Sequence, residues 1–120
     1  MNIGTDIIQI ARIESVLARH GERFMARFLT PDEIASLPHR RQSLAGYWAA
    51  KEAIAKALGY GIGRELGFHD IRLTKNNKGA PSFRLSPDAH KRFPIKTSSL
   101  SISHDGGFAI AVAVIVLSDD

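Results

Sequence analysis

Apolar positions alternate along Phe108 to Leu117: Ala109, Ala111 and Ala113 fall on one face, and Phe108, Ile110, Val112, Val114 and Val116 on the other. The pattern predicts a strand with apolar side chains on both sides, and its alanine face predicts close approach by another element. The obvious candidate is the stretch Trp48-Ala49-Ala50-Lys51-Glu52-Ala53-Ile54-Ala55-Lys56-Ala57-Leu58-Gly59, a strong helix former with five alanines in twelve residues. That helix is expected from about Ser43 to Leu58, with Gly59 as its C′ residue.

The same reading extends to the rest of the chain. Ile3, Ile7, Ile8 and Ile10 predict a buried first strand over Asn2 to Ile10, in which Asp6 is an exception that needs a partner. From Ala11 to Phe28, Ile13, Val16, Leu17, Phe24 and Phe28 follow helical spacing, with a break or kink at Gly21. Thr30-Pro31-Asp32-Glu33 carries the marks of a capping box opening a short helix, and Pro38 to Arg41 reads as a connection. Gly59-Tyr60-Gly61-Ile62-Gly63 reads as a flexible loop that matches no nucleotide-binding fingerprint. Ile71 to Lys75 and Pro81 to Leu85 flank Asn76-Asn77-Lys78-Gly79 as a hairpin, and Ser86-Pro87 opens a short helix that ends before Pro94. Ser99 to His104 should pair with Phe108 to Leu117 around Asp105-Gly106-Gly107. The expected architecture is one α+β domain over residues 1–120, an antiparallel sheet packed against a long central helix and shorter helices.

Composition narrows the function classes. The 120 residues hold no cysteine, which excludes disulfides, thiolate zinc sites and cysteine nucleophiles. No apolar run approaches the roughly 20 residues of a spanning helix, and no leader pattern precedes the first strand, so the expectation is a cytoplasmic protein without a membrane partner. The net charge of +4 suits an anionic partner, and Arg12, Arg19, Arg23 and Arg27 recur at helical intervals. Taken alone, such a stripe is also what a solvated helix face looks like. A noncatalytic basic module binding nucleic acid or an acidic protein would explain the charge, but only 8% of the chain is aromatic and no RNA-binding signature is present.

Asp6 and Glu52 are the two acids that suggest chemistry, because Mg²⁺ is commonly held by one or two carboxylates together with substrate phosphates. Glu52 precedes Lys56 by four residues, the favourable order for a helical ion pair, and Lys51 and Lys56 are candidate phosphate-binding point charges. His104 ends a strand on the face of Leu100 and Ile102, where its ring can reach a phosphate or move a proton. His20, His39, His69, His90 and His104 are too scattered for a zinc site, and Ser103 and His104, adjacent on a strand, face opposite ways.

Gly4-Thr5-Asp6, the segment Trp48 to Gly59, and Ser101-Ile102-Ser103-His104 together closely resemble the 4′-phosphopantetheinyl transferase superfamily. With Arg27-Phe28-Leu29-Thr30 and Gly61-Ile62-Gly63-Arg64, the chain is similar over nearly its whole length to the small bacterial branch, the holo-[acyl-carrier-protein] synthases. The resemblance implies transfer of phosphopantetheine from coenzyme A to a serine of an apo acyl carrier protein, in support of fatty acid biosynthesis, with release of adenosine 3′,5′-bisphosphate. It implies Mg²⁺ on Asp6 and Glu52, a catalytic set of Glu52, Lys56 and His104, and coenzyme A contacts from Lys51, Lys56, Gly59 and His104. It further implies carrier docking on Arg12, Arg19 and Arg23, and a homotrimer whose active sites are shared between neighbours. Two departures stand out. Tyr47 and Trp48 replace an arginine and a phenylalanine usual in the small branch, and Tyr60 replaces a small hydroxyl residue. The tryptophan resembles that of the larger, broad-specificity branch, which makes a carrier of polyketide or other secondary metabolism the alternative acceptor.

Overall fold

The computed structural model describes residues 1–37 and 41–119, so the connection expected from Pro38 lies outside the described residues as far as Arg40, as does His39. The elements run β1 (Asn2–Gln9), α1 (Ile10–His20), α2 (Glu22–Phe28), α3 (Pro31–Ser36), α4 (Arg41–Ala57), a 3₁₀ turn (Phe68–Asp70), β2 (Ile71–Lys75), β3 (Pro81–Leu85), α5 (Pro87–Arg92), β4 (Ile95–Asp105) and β5 (Phe108–Leu117). Strand β5 is the centre of an antiparallel sheet in the order β1-β5-β4, and β2 and β3 form a separate hairpin. The α+β architecture expected from the sequence is the one observed.

Local chemistry accounts for most of the boundaries. Gly21, at φ 56°, splits the first helical segment into α1 and α2, and its N–H donates to the Leu17 carbonyl at 2.7 Å. A side chain there would be strained, so the break follows from the glycine. Thr30 and Glu33 close a reciprocal capping box at the start of α3, and Ser86 caps α5. The β4–β5 hairpin turns on Gly106 and Gly107, both at positive φ, with Asp105 paired to Phe108. β4 begins at Ile95, four residues before its expected start at Ser99.

Helix α4 lies across the sheet, and close packing is what the alanine rows provide. Ala109, Ala111 and Ala113 of β5 are fully buried, as are Ala49, Ala50, Ala53 and Ala55 of α4. At the contact with β1 a Cβ on Gly4 would overlap the Ala53 carbonyl oxygen and the Ala57 backbone nitrogen. Only glycine permits that approach.

The first strand is half-buried, not enclosed as expected. Ile8 is in the core, whereas Ile3 and Ile7 remain 64% and 58% exposed because odd positions point away from α4. With Phe108, Ile110 and Val112 of β5, they form an open apolar face on the side of the sheet opposite the helix.

Candidate active site

Close packing of β1 on α4 creates the site. Asp6 lies on the helix-facing side of β1 with its side chain 15% exposed, and its Oδ1 accepts a 2.9 Å hydrogen bond from Lys56 Nζ. Lys56 also donates to the Thr5 carbonyl oxygen at 3.2 Å. Asp6 therefore has the partner its place in a strand required. Lys56 reaches across to it and makes no ion pair with Glu52 within 4 Å, unlike the helical pair expected from the spacing. Burial pushes the Glu52 carboxyl above its ordinary range, the charge of Asp6 pushes it further, and Lys56 partly offsets both.

Two carboxylates from distant parts of the chain thus feel one another's charge, and the half-exposed ammonium of Lys56 acts on both. Among the described residues no group of three or more histidine, aspartate or glutamate side chains could hold a metal. A divalent cation here would rest on Asp6, Glu52 and oxygens brought by a ligand, a donor set that fits Mg²⁺. It would also relieve the repulsion that raises the Glu52 pKa.

Lys51 does not belong to this site, which corrects its expected role in coenzyme A binding. Its side chain is fully enclosed, and its ammonium donates to Glu33 Oε1 at 2.7 Å, to the Phe28 carbonyl at 2.7 Å and to the Phe68 carbonyl at 3.1 Å. All three N–H donors are engaged, leaving none for a phosphate. Burial lowers the Lys51 pKa, and Glu33 opposes that shift. Glu33, anticipated only as a capping residue, also accepts from the Thr30 and Leu73 N–H groups. It ties α3, α4 and β2 together.

His104 stands apart from the acids. It shares their face of the sheet, but Ala109 of β5 lies between it and Ile8 of β1, two strand spacings of about 4.8 Å each. It lines a 120 Å³ cleft with Gln42, Ser43, Gly46, Tyr47, Lys75, Gly79, Pro81 and Ile102. Along α4, Tyr47 precedes Glu52 by about 7.5 Å of helix and Gln42 precedes it by about 15 Å. Lys75, which the sequence reading passed over, sits with its Nζ 5.6 Å from the centroid of the Tyr47 ring. A 980 Å³ hollow also reaches His104, between the first turns of α1 and α4 and the β4–β5 turn.

Trp48 is half-buried against the core, its ring 4.9 Å from Phe68, 5.3 Å from Phe28 and 5.8 Å from Phe24. Gly59 terminates α4 at φ 91°, and the space beside it and beside Gly61 and Gly63 is open. Arg12 and Arg19 lie exposed on α1, and Arg23 and Arg27 on α2, so the expected stripe is divided at Gly21 into two pairs.

Comparison with known proteins agrees with this arrangement. A sequence model described as the 4′-phosphopantetheinyl transferase superfamily matches residues 2–113. A holo-[acyl-carrier-protein] synthase of Sulfurovum sp. is 58% identical over 115 residues, 96% of each chain, and one of Wolinella succinogenes is 58% identical over 110 residues, 92% of each. The crystal structure of the Helicobacter pylori holo-[acyl-carrier-protein] synthase in complex with coenzyme A superposes with a TM-score of 0.91 at 49% identity, covering 95% of this chain and 99% of that one. Motif order, the helix-on-sheet contact and similarity over nearly the full length together lead to one conclusion: the chain belongs to the 4′-phosphopantetheinyl transferase superfamily, in its holo-[acyl-carrier-protein] synthase branch.

Proposed function

We propose that this chain transfers the 4′-phosphopantetheine group of coenzyme A to a serine of an apo acyl carrier protein, with Mg²⁺ held by Asp6 and Glu52 beside Lys56. The observation that carries the reading is the 2.9 Å ion pair of Lys56 with Asp6 at the β1–α4 contact, one helical turn from Glu52, whose pKa burial raises and the charge of Asp6 raises further. Bound Mg²⁺ would supply positive charge to the donor's pyrophosphate. Lys56, with a side chain half exposed, can turn its ammonium from Asp6 to a donor phosphate and offset the charge on the leaving group. The serine oxygen forms its bond to the phosphorus that bears pantetheine. The bond from that phosphorus to the bridging pyrophosphate oxygen breaks, releasing adenosine 3′,5′-bisphosphate, and the serine proton passes to water or to a carboxylate.

His104 enters the reaction from a second copy of the chain. In one copy it lies too far from Asp6 and Glu52 for both to grip phosphates that a single ribose separates. A homotrimer with shared sites removes the difficulty. The open apolar face of Ile3, Ile7, Phe108, Ile110 and Val112 is the surface on which such copies would meet. Arg12, Arg19 and Arg23 are the proposed docking residues for an acidic carrier, in the cytoplasm and in service of fatty acid synthesis. A carrier of polyketide or other secondary metabolism is the alternative acceptor, and transfer assays with carriers from each pathway separate the two.

Intact-mass measurement on an apo carrier protein incubated with the chain and coenzyme A tests the reading. The expected result is a gain of one phosphopantetheine with Mg²⁺, none after chelation, and none with Glu52→Gln. Full transfer by Glu52→Gln would remove Glu52 from the metal site.

A further inference from the structure

We infer that Lys56 holds the cation position beside the acids in the free chain, so that the site disfavours a bare divalent cation and admits one that arrives with a diphosphate; the inference rests on the transfer reaction proposed above. The Lys56 ammonium donates to Asp6 Oδ1 at 2.9 Å and to the Thr5 carbonyl oxygen at 3.2 Å. Carboxylate and carbonyl oxygens are also the ligands that Mg²⁺ prefers. A lysine head and a metal ion therefore compete for the same acid, and two cations brought together there repel one another. The Asp6 side chain is only 15% exposed, which limits the screening of that repulsion by salt.

Lys56 can yield its place, because only its head is tied. Its side chain is half exposed, and a long aliphatic stem can swing to a new partner through solvent without disturbing the core. Lys51, on the same helix, has no such freedom, being enclosed with Glu33 and two backbone carbonyls. Charge balance names the ligand that moves Lys56. With Glu52 ionised, Asp6, Glu52 and Lys56 carry one net negative charge, which a divalent cation alone would reverse. A diphosphate diester brings two negative charges with the metal and returns the site to its starting balance. It also offers the displaced ammonium a phosphate oxygen in place of the Asp6 carboxylate. Metal and diphosphate thus each raise the other's affinity, by the same factor.

Calorimetric titration with Mg²⁺, with and without saturating coenzyme A and corrected for Mg²⁺ binding to free coenzyme A, tests this by binding alone, in the absence of carrier protein. Lys56→Met keeps the stem and removes the charge; Lys56→Arg keeps the charge. The parent chain should bind Mg²⁺ at least about tenfold more tightly with coenzyme A than without it. Lys56→Met should bind Mg²⁺ without coenzyme A about tenfold more tightly than the parent, and coenzyme A should then add correspondingly less, because the competing ammonium is already gone. Lys56→Arg should follow the parent. Lys78→Met, which removes the same charge from the exposed β2–β3 turn, should leave Mg²⁺ affinity within about twofold. A Lys56→Met chain that binds Mg²⁺ alone no more tightly than the parent would overturn the inference, as would an equal gain in Lys78→Met or no Mg²⁺ binding by any of the chains. Failure of the transfer reading has a different signature, namely absence of the mass gain on the carrier with the parent chain.

Discussion

Lys51 and Lys56 look alike as letters, yet five residues of α-helix rotate them by roughly 140°, onto different sides. Lys51 falls on the row of Leu44, Tyr47, Ile54 and Leu58, all buried, whereas Glu52 and Lys56 share the row that meets Asp6. The helical spacing therefore held the clue that Lys51 is interior. What spacing cannot reveal is that Glu33 and two backbone carbonyls would be waiting there. Lys51→Met should lower the unfolding free energy by about 3–5 kcal/mol in urea titrations, because it leaves the Glu33 carboxylate buried without its counter-ion. Coenzyme A binding by the folded fraction should be unaltered.

Glu52 behaves in the opposite sense. Its folded pKa is raised above the ordinary 4.5, so the folded state binds more protons than the unfolded chain between that value and the raised one. Stability held below pH 4.5 is lost as pH rises through the folded pKa. In the metal-free protein at pH 7, Glu52→Gln should raise the melting temperature, and the difference should vanish near pH 4. The same variant should lose the rise in melting temperature that Mg²⁺ gives the parent chain.

At the scale of elements, the α4–sheet contact sets the geometry of the acids, and two glycines show how tightly. A methyl at Gly4 meets backbone atoms of α4, whereas at Gly46 it meets only the Ile102 Cγ2 at 3.0 Å. Gly4→Ala should cost at least about 3 kcal/mol and abolish activity, since the helix that carries Glu52 must move. Gly46→Ala should cost about 1 kcal/mol, because a side chain can turn aside. Chemical denaturation and transfer assays on both variants check the contrast. The alanine rows of β5 and α4 made this contact legible in the sequence. The pairing of β1 with β5 was not, because it joins residues about a hundred positions apart and depends on β5 having two free edges.

For the whole molecule, the separation of His104 from Asp6 and Glu52 makes a prediction that a self-contained site would not. Glu52→Gln and His104→Ala chains, each inactive alone, should regain a fraction of parent activity when denatured, mixed and refolded together. No recovery in the mixed sample would place the whole site in one chain. Ile7→Glu on the open sheet face should yield a folded monomer, by light scattering and circular dichroism, that lacks transfer activity. Reversing Arg12 and Arg19 to glutamate should weaken carrier binding and flatten its salt dependence while coenzyme A binding is unchanged.

The sequence by itself determined the elements and their caps, the alanine rows, the glycines at Gly21 and Gly59, and two acids in motifs of a known family. These are written in local spacing and backbone stereochemistry, which depend on near neighbours along the chain. Only the tertiary structure decided that Lys51 is interior while Lys56 reaches Asp6, that one face of the first strand stays open, and that Lys75 stands over Tyr47. Each of those outcomes turns on which distant segment packs against a given face, and that follows from the competition among all apolar surfaces to leave water.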